Sequence, residues 1–456
     1  LGHMSLSANN LSGSIPTELG LLTALTRLYL YENALTGPLP SELGSLTGLG
    51  HMSLSANNLS GSIPTELGLL TALTLLYLQE NALTGPLPSE LGSLTGLGNM
   101  ALYTNNLSGS IPTELGLLTA LTRLYLYENA LTGPLPSELG SLTGLGHMDL
   151  SSNNLSGSIL TELGLLTALT RLRFFENALT GPLPSELGSL TGLEEMDLDT
   201  NNLSGSIPTE LGLLTALTLL FLHENDFSGP LPSELSSLTG LGNMALSTNN
   251  LSGSIPTELG LLTALTVLYL YENALAGPLP SELGSLTGMG DMELLTNNLS
   301  GSIPTELGLL TALTFLYLWG NALTGPLPSE LGSLTGLVEM YLYANNLSDS
   351  IPTVLGLLTA LAGLSLYENA LSGPLPSELG KLTALQLLRL YSNQLNGPIP
   401  TELGTLAALT ELDLYDNLLT GSIPPSFCGL PNLTATVDCE NATCTCPTCS
   451  CWNVSG

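Results

Sequence analysis

The sequence predicts an α/β solenoid, an arc of 18 coils with a parallel concave β-sheet and an irregular or 3-10 convex side. Three observations predict this fold. An asparagine recurs every 24 residues from Asn9 to Asn417 without an insertion, which gives 18 repeats. Each repeat carries one alternating Leu-x-Leu segment, which is typical of a short strand. No apolar run approaches the roughly 18 residues that a membrane-spanning helix needs. Because so short a unit cannot bury its own leucines, the units must stack to form a core.

Composition and charge exclude several classes of protein. With 6 Lys+Arg against 38 Asp+Glu, the formal net charge is -32, which excludes nucleic acid and anionic membrane surfaces as partners. A hydrophobic content of 43% argues against a disordered chain. The chain begins at Leu1 without a charged or apolar leader, so we expect that any secretion signal has been removed or lies outside this sequence.

The elements follow one another in the same order in every repeat. In the second repeat, Leu28-x-Leu30 alternates with period two and is expected to form one short strand. Asn33 then turns the chain, and its amide is expected to bond to backbone groups of adjacent coils as part of a ladder. Gly37 and Pro40 favour a backbone that cannot continue a sheet, so this stretch should carry the chain to the opposite side.

The repeat resembles the plant-specific class of leucine-rich repeats, LxxLxLxxNxLxGxIPxxLGxL, found in receptor ectodomains and in secreted inhibitors of wall-degrading enzymes. The match covers residues 1–424 and is written in the second repeat as Leu25-x-x-Leu28-x-Leu30-x-x-Asn33-x-Leu35-x-Gly37-x-Leu39-Pro40-x-x-Leu43-Gly44-x-Leu46. The resemblance implies a twisted arc with a parallel sheet on its concave side. Members of this class usually begin with a cysteine-containing cap, whereas here the first repeat starts abruptly. We therefore expect either a cap outside this sequence or another molecule that covers this edge.

Two domains are predicted, a solenoid at 1–424, whose 24-residue repeats pair into a 48-residue unit, and a cysteine-rich C-terminal cap or tail at 425–456. All six cysteines lie in the tail: Cys428, Cys439, Cys444, Cys446, Cys449 and Cys451. We expect three disulfides, for which 15 pairings are open, in preference to a zinc site, because the tail is also rich in glycan acceptors. The tail resembles those of secreted algal leucine-rich-repeat proteins, and its expected role is to close the last coil.

Eleven Asn-x-Ser/Thr acceptors indicate an oxidising, secretory route and a protein that is extracellular, secreted or associated with the cell surface or wall. They are Asn10, Asn58, Asn106, Asn154, Asn202, Asn250, Asn298, Asn346, Asn432, Asn441 and Asn453. The first eight recur every 48 residues, and each follows an inward-pointing ladder asparagine, so their glycans are expected along one flank. Covalent N-glycans are expected, and no cofactor is predicted.

The variable positions of each predicted strand carry the chemistry that differs between repeats. All 14 tyrosines, all four histidines and five of the six basic residues occupy these positions. Tyr, Trp and Arg are the residue types that dominate binding at interfaces, so this face is predicted to bind a partner. The alternative is that strand propensity and the repeat template alone concentrate them there. The candidate partner-binding residues are Tyr29, Tyr31, Arg123, Tyr125, Tyr127, Arg171, Arg173, Phe175, Phe221, Tyr269, Tyr271, Phe315, Tyr317 and Trp319.

A row of leucines occupies a site that the repeat pattern leaves variable and usually polar. Even-numbered repeats have a residue such as Ser45 there, whereas the odd-numbered repeats have Leu21, Leu69, Leu117, Leu165, Leu213, Leu261, Leu309 and Leu357. Evenly spaced, exposed apolar groups favour self-association, so this row is a candidate lateral contact. The alternative is that each leucine folds down over its own coil.

No catalytic site is predicted, because His3, His51 and His147 are repeat copies and His223 has no serine or cysteine partner at a motif spacing. No defined metal site is predicted.

The interpretation is a non-enzymatic, N-glycosylated extracellular scaffold that makes protein contacts, as a structural or adhesive component of a cell-surface coat or fibre. A head-to-tail contact that does not close would make it a filament. The alternative is a receptor- or inhibitor-like recognition module that binds a peptide, a protein or a wall polysaccharide on its concave face. A minor alternative is a binder of ice or mineral.

Overall fold

The computed structural model describes residues 2–430, 432–438, 442–443 and 449–452. The chain divides into two compact units, Leu1–Phe227 and Ser228–Gly456. In both units, successive repeats contribute a strand to a main parallel sheet, a second short parallel strand and a 3-10 turn. The predicted solenoid is therefore confirmed, and within the ranges given above the turns are 3-10 and none is an α-helix.

The N-terminal unit contains ten main strands, and consecutive strands within the unit pair in parallel, as Arg27–Tyr29 does with His51–Ser53. The main strands are His3–Ser5, Arg27–Tyr29, His51–Ser53, Leu75–Tyr77, Asn99–Ala101, Arg123–Tyr125, His147–Asp149, Arg171–Arg173, Glu195–Asp197 and Leu219–Phe221. The second strands are Ser12–Gly13, Ala34–Pro38, Asn58–Gly61, Ala82–Pro86, Asn106–Gly109, Ala130–Pro134, Asn154–Ser158, Ala178–Gly181 and Asn202–Gly205, and Asp226–Pro230 contains the boundary between the units. The 3-10 turns are Thr17–Leu21, Ser41–Ser45, Thr65–Leu69, Ser89–Ser93, Thr113–Leu117, Ser137–Ser141, Thr161–Leu165, Ser185–Ser189 and Thr209–Leu213.

The C-terminal unit repeats this plan, and its main sheet continues past residue 424. The main strands are Asn243–Ala245, Val267–Tyr269, Asp291–Glu293, Phe315–Tyr317, Glu339–Tyr341, Gly363–Ser365, Leu387–Arg389, Glu411–Asp413, Thr434–Asp438 and Cys449–Trp452. The second strands are Asn250–Gly253, Ala274–Pro278, Asn298–Gly301, Ala322–Pro326, Asn346–Ser348, Ser372–Pro374, Gln394–Pro398, Leu418–Ser422 and Ala442–Thr443. The 3-10 turns are Ser233–Ser237, Thr257–Leu261, Ser281–Ser285, Thr305–Leu309, Ser329–Ser333, Thr353–Leu357, Ser377–Lys381, Thr401–Thr405 and Pro425–Gly429.

The second strand was not predicted from the sequence. The stretch that contains Gly37 leaves the main sheet, as expected, but Ala34–Pro38 also forms a strand of a second sheet, where it pairs in parallel with Asn58–Gly61. Gly37 has a φ of 77°, a left-handed conformation that glycine adopts without a steric penalty. The strand therefore bends sharply before Pro40, which is extended and precedes the turn Ser41–Ser45.

The core of each unit is a stack of leucines from successive repeats. Five leucines of the sixth repeat are 0% exposed: Leu124 on the main strand, Leu126 just after it, Leu131 on the second strand, and Leu139 and Leu142 at the turn. Burial of each such side chain stabilises the fold by about 1.5–3 kcal/mol. Stacking thus supplies the core that a single repeat lacks.

The predicted asparagine ladder is confirmed by its hydrogen bonds. The Nδ2 atom of Asn129 donates to the carbonyl oxygens of Leu126 and Tyr127 in its own repeat at 3.1 and 3.2 Å. It also donates to the carbonyl oxygen of Leu102 in the preceding repeat at 3.1 Å, and its Oδ1 accepts from the amide nitrogen of Leu107 at 3.0 Å. Asn129 therefore ties its coil to the one before.

Candidate functional site

Alternation along each main strand decides which side chains reach the face that carries the variable residues, hereafter the variable face. In Arg123–Tyr125, Leu124 is buried, whereas Arg123 is exposed and Tyr125 is half-buried. Phe315–Tyr317 in the C-terminal unit follows the same pattern. Because strand side chains alternate between the two faces, the residues predicted to bind a partner reach the variable face within their own unit.

A depression of about 580 Å³ opens on the variable face of the N-terminal unit. It is lined by five of the predicted residues: Tyr125, Tyr127, Arg171, Arg173 and Phe175. Eight further lining residues were not singled out from the sequence: Tyr103, Glu128, His147, Met148, Asp149, Ser151, Ser152 and Glu176. Most of them occupy the same variable positions of neighbouring repeats, so the 24-residue register could have found them where selection by residue type did not.

The two arginines of this depression are held by one carboxylate. Arg173 Nε donates to Glu195 Oε1 at 2.7 Å, and Arg171 Nε lies 3.7 Å from Glu195 Oε2. Arg173 Nη1 also lies 3.8 Å from Asp149 Oδ2. The hydrogen bond to Glu195 raises the pKa of Arg173, so this guanidinium stays charged. The side chain of Arg171 remains 50% exposed and that of Arg173 36%, so both can still meet a partner.

Two acidic residues near the arginines, Asp197 and Asp199, differ in protonation, so only one of them is charged at neutral pH. Burial raises the pKa of Asp197 to about 8, and its hydrogen bond to Asp199 reinforces the shift. Burial would also raise the pKa of Asp199, but hydrogen bonds with His223 and Asp197 lower it to about 2. His223 Nε2 lies 3.2 Å from Asp199 Oδ2, and Thr200 Oγ1 donates to the same oxygen at 2.9 Å. At neutral pH, Asp197 therefore carries the proton and Asp199 the charge.

Aromatic side chains give the depression a rigid wall. The rings of Tyr103 and Tyr127 stack with centroids 4.3 Å apart and planes 9° apart. The hydroxyl of Tyr125 shares a hydrogen bond of 2.8 Å with His147 Nδ1. Burial lowers the pKa of His147, and the charge of Arg171 adds to this effect. The imidazole is therefore neutral at neutral pH, which leaves the arginines as the cations of the depression.

In the C-terminal unit, the most regular feature of the variable face is a stack of five rings, hereafter the aromatic ladder: Trp319, Tyr343, Tyr367, Tyr391 and Tyr415. Consecutive ring centroids are 4.9, 4.2, 4.2 and 4.5 Å apart, and consecutive planes differ by 9–12°. Only Trp319 was a candidate from the sequence. The recurrence of tyrosine every 24 residues from 343 to 415 was the signal that could have found the rest.

The other candidates of the C-terminal unit are held by hydrogen bonds to neighbouring carboxylates or by ring contacts. Tyr269 donates from its hydroxyl to Asp291 Oδ2 at 2.7 Å, and Tyr317 donates to Glu339 Oε2. Tyr317 also stacks on the ring of Tyr341 with centroids 5.0 Å apart. The rings of Tyr271 and Phe315 lie 6.1 Å from those of Tyr269 and Tyr317, respectively. These side chains are thus held in fixed positions.

The remaining candidates of the N-terminal unit lie outside the depression. The rings of Tyr29 and Tyr31 meet edge to face, with their centroids 6.5 Å apart. The rings of Phe221 and His223 also meet edge to face, with their centroids 6.3 Å apart. Arg123 is exposed in the strand next to the depression. The structure therefore gathers only part of the predicted set into one site.

The leucines of the predicted lateral row are exposed. Their exposed fractions are 78% for Leu21 and 54–60% for Leu69, Leu117, Leu165, Leu213, Leu261, Leu309 and Leu357. The alternative, in which each leucine folds down over its own coil, is wrong. Whether the row contacts another molecule stays a prediction.

The glycan acceptors meet the steric requirement for modification. All eight acceptors of the 48-residue series are exposed, as is Asn432. Asn441 and Asn453 lie outside the described residues. Glycosylation itself stays a prediction.

The cysteine-rich tail is described only in part. Cys428 is disulfide-bonded. Cys439, Cys444 and Cys446 lie outside the described residues, whereas Cys449 and Cys451 belong to the strand Cys449–Trp452. The pairing of the cysteines and the likeness to algal tails stay predictions. Over the described ranges, His, Cys, Asp and Glu form no group of three or more that could hold a metal ion.

Comparison with known proteins identifies the repeat. The model of the Leucine Rich Repeat family matches residues 24–46, 72–94, 120–142, 192–214, 312–334, 384–406 and 408–430. A comparison with curated protein sequences gave no match. Among solved structures, the receptor kinase HAESA from Arabidopsis, in complex with the peptide hormone IDA and the co-receptor SERK1, has a TM-score of 0.89 and 35% identity over 99% of this chain and 78% of that chain.

Two further structures show how widely this architecture occurs. The ectodomain of GASSHO1/SCHENGEN3 from Arabidopsis thaliana, in complex with CASPARIAN STRIP INTEGRITY FACTOR 2, has a TM-score of 0.83 and 36% identity over 99% of this chain. The present chain spans 60% of that ectodomain. A leucine-rich-repeat protein of Leptospira interrogans has a TM-score of 0.58 and 30% identity over 95% of each chain.

These likenesses define the class of fold as a leucine-rich-repeat solenoid. The chain belongs to the leucine-rich-repeat family, and its structure is similar to the ectodomains of plant leucine-rich-repeat receptor kinases. The described part of the chain contains no helix with the length and hydropathy needed to cross a membrane.

Proposed function

We propose that this chain is a non-enzymatic, extracellular recognition module that binds an extended peptide or protein segment at the depression of the N-terminal unit. The observation that carries the proposal is the grouping of Arg171 and Arg173 with the aromatic rings of Tyr127 and Phe175 around a single concavity. Rings and guanidinium groups are the side chains that most often dominate binding energy. The complex of HAESA with the peptide hormone IDA supports the same class of partner.

The charges of the depression indicate the chemistry of that partner. The whole chain carries a net charge of -32, yet two of its six basic residues lie here. Glu195 orients both guanidinium groups without covering them, since both remain partly exposed. A bound segment would place a carboxylate or a polar carbonyl group against Arg171 and apolar side chains against Phe175 and the Tyr103–Tyr127 stack.

The aromatic ladder is a weaker candidate for binding a wall polysaccharide. A sugar ring stacks on the open face of an aromatic ring. The rings of Tyr343, Tyr367 and Tyr391 have a neighbouring ring on each side at 4.2–4.9 Å, so their faces are covered. We therefore propose a peptide or protein segment, and not a polysaccharide, as the ligand of this recognition module.

The test selects peptides from a random library displayed on phage against the immobilised chain and then compares variants. We expect the selected peptides to lose at least about ten-fold in affinity, a loss of about 1.4 kcal/mol, with Arg171→Gln or with the pair Tyr127→Ala and Phe175→Ala. Ser62→Gln alters an exposed serine outside the depression and should leave the affinity unchanged. Peptides that bind all variants equally would contradict this site.

A second function, a structural or adhesive role through lateral contacts, is favoured by one observation. The leucine row is exposed on the 3-10 turns of the odd-numbered repeats, where the even-numbered repeats have polar residues such as Ser45. Exposed apolar groups at a regular spacing favour association between copies.

A further inference from the structure

The aromatic ladder holds four phenols in a line. Tyr343, Tyr367, Tyr391 and Tyr415 occupy the same position of consecutive repeats, two residues beyond the main strand. Backbone hydrogen bonds keep these repeats in register, as from the amide of Ala344 to the carbonyl oxygen of Tyr367 at 3.0 Å. The ring of each tyrosine therefore lies over the equivalent ring of the next repeat.

Neighbouring hydroxyls of the ladder also influence one another electrostatically, since, in addition to burial, Tyr367 raises the pKa of Tyr343 and Tyr391 raises that of Tyr367. Burial raises the pKa of Tyr367 and Tyr391 to about 12, so the phenols are protonated at neutral pH. All four side chains are half-buried, which leaves part of each ring accessible to solvent.

Packing alone does not explain this arrangement. Phenylalanine would stack equally well, since offset ring stacking depends on the π-system and not on the hydroxyl. Binding to a ring face is also excluded for the inner members of the ladder, because their faces are covered. The property that distinguishes a stack of phenols is that neighbouring rings can be joined after oxidation.

We propose that the aromatic ladder is a site of oxidative cross-linking, at which neighbouring tyrosines are joined through a carbon–carbon bond. Each of two phenols loses one electron and one proton to become a phenoxyl radical. The radicals couple between ring carbons adjacent to the hydroxyls, and tautomerisation restores both aromatic rings as a 2,2'-biphenol. The oxidant is hydrogen peroxide acting through a haem peroxidase, so one peroxide is reduced to two water molecules for each bond formed.

The geometry selects which tyrosines react with each other. Coupling requires that two radicals touch, and the ladder pairs are parallel with centroids 4.2–4.5 Å apart. By contrast, the rings of Tyr29 and Tyr31 are 6.5 Å apart at 62°, and those of Tyr269 and Tyr271 are 6.1 Å apart at 53°.

The product would be a covalent staple between consecutive coils. The link between Tyr367 and Tyr391 closes a loop of one 24-residue repeat, and the link between Tyr391 and Tyr415 closes the next. Closing such loops restricts the unfolded chain, as a disulfide does. Cross-linking would thus stabilise the C-terminal unit, independently of peptide binding by the N-terminal unit.

The test treats the purified full chain, at a dilution that disfavours contact between molecules, with a haem peroxidase and hydrogen peroxide. Cleavage after glutamate separates Tyr367, Tyr391 and Tyr415, since Glu368 and Glu378 lie between the first two, and Glu402 and Glu411 lie between the last two. Tyr343 and Tyr367 stay on one peptide, because residues 344–366 contain no glutamate, so their link appears as the loss of two hydrogen atoms from that peptide. We expect joined peptides that have lost two hydrogen atoms, together with biphenol fluorescence. Tyr103 and Tyr127, stacked at 4.3 Å in the N-terminal unit, should also be joined.

A conservative variant separates cross-linking from packing. Tyr391→Phe keeps the ring in the stack, so the thermal unfolding midpoint should change little, but both links to position 391 should disappear. The links between Tyr343 and Tyr367 and between Tyr103 and Tyr127 should remain. Tyr77→Phe is the matched control on the variable face and should alter none of these links. Absence of joined peptides, links mainly between molecules, or equal coupling of Tyr29 with Tyr31 would overturn the proposal.

Discussion

At the scale of single residues, the ladder asparagines connect each coil most directly to its neighbours. Asn201 is buried, and its Nδ2 donates to the carbonyl oxygens of Phe174 and Asp199 at 2.9 and 3.0 Å. Its Oδ1 accepts from the amide nitrogen of Leu179 at 3.0 Å. A buried polar group that loses its partner costs about 1–3 kcal/mol. We therefore expect Asn201→Ala to lower the free energy of unfolding of the N-terminal unit by about 2–4 kcal/mol.

Urea titration followed by circular dichroism measures this effect on chain produced without glycans. The adjacent Asn202 is exposed, so Asn202→Ala is the matched control and should change the free energy of unfolding by no more than about 0.5 kcal/mol. Equal shifts of the urea midpoint for the two variants would show that the ladder bond is not what stabilises the coil.

Asp197 makes the free energy of unfolding of the N-terminal unit depend on pH. Its pKa rises from 3.8 to about 8 in the folded chain, mainly through burial. The folded state therefore binds the proton more tightly, and the stability gained is complete below about pH 4 and is lost as the pH rises towards 8. The slope from one proton cannot exceed about 1.4 kcal/mol per pH unit. Asp199, whose pKa is lowered to about 2, acts in the opposite direction, but only below about pH 4.

Replacing Asp197 with the neutral asparagine should remove this slope. We expect urea midpoints of Asp197→Asn to vary less between about pH 5 and pH 8 than those of the parent chain, with the gain in stability largest at the upper end. Asp226→Asn alters an exposed carboxylate and should preserve the parent slope. Parallel pH profiles for Asp197→Asn and the parent chain would exclude Asp197 as the titrating group.

At the scale of elements, close stacking of the 3-10 turns sets the spacing of the coils. Gly44 in Ser41–Ser45 is buried against the next repeat, and a Cβ atom there would lie 2.7 Å from the Cβ atom of Glu66. Since the obstacle also includes the Glu66 backbone, it cannot rotate away. We expect Gly44→Ala to lower the free energy of unfolding by about 1–3 kcal/mol, because overpacking forces the coils apart.

The control for this prediction lies four residues further along the same repeat. A Cβ atom at Gly48 would lie no closer than 3.9 Å to Leu25 O and Thr23 O, which is ordinary contact. The odd-numbered repeats have alanine at this position, as at Ala24. Thermal denaturation should therefore show a clear loss of stability for Gly44→Ala and almost no loss for Gly48→Ala. A similar loss for both would mean that the chain tolerates no alanine at either site, and would refute the stacking argument.

The elements also show what the sequence can and cannot predict. The main strand and the asparagine ladder follow from local patterns, Leu28-x-Leu30 and Asn33, and both were predicted correctly. The second strand was missed because Ala34–Pro38 contains a glycine and a proline and has too few alternating residues to carry a signal. Its pairing depends on the adjacent coils, which is information that no single repeat contains.

The candidate site follows the same division. The repeat register placed Tyr127 and Arg173 on the variable face, since position within the repeat alone decides this. The register did not show that Glu195 orients Arg173, or that Tyr343 begins a continuous stack of tyrosines, because these depend on rotamers and on contacts between repeats. Selection by residue type also omitted the polar lining of the depression.

At the scale of the whole molecule, association between copies depends on competition between apolar contact and charge. In Thr113–Leu117, Glu114 precedes the exposed Leu117 by three residues, and side chains three apart in a 3-10 turn lie on the same side. Carboxylates therefore flank the leucines along the row. In a chain with a net charge of -32, two such rows repel each other unless salt screens the charges.

This competition predicts association that increases with ionic strength. The screening length falls from about 10 Å at 0.1 M salt to about 3 Å at 1 M, so repulsion between carboxylates weakens while burial of leucine remains favourable. Sedimentation velocity should show monomers at low salt and larger species at high salt.

The pair Leu117→Gln and Leu165→Gln should abolish the larger species, because it removes two neighbouring apolar groups that are 58% and 60% exposed. Ser62→Gln, outside the turns, should not. A parent chain that stays monomeric at both salt concentrations would exclude the leucine row as a contact between copies, without affecting peptide recognition by the variable face.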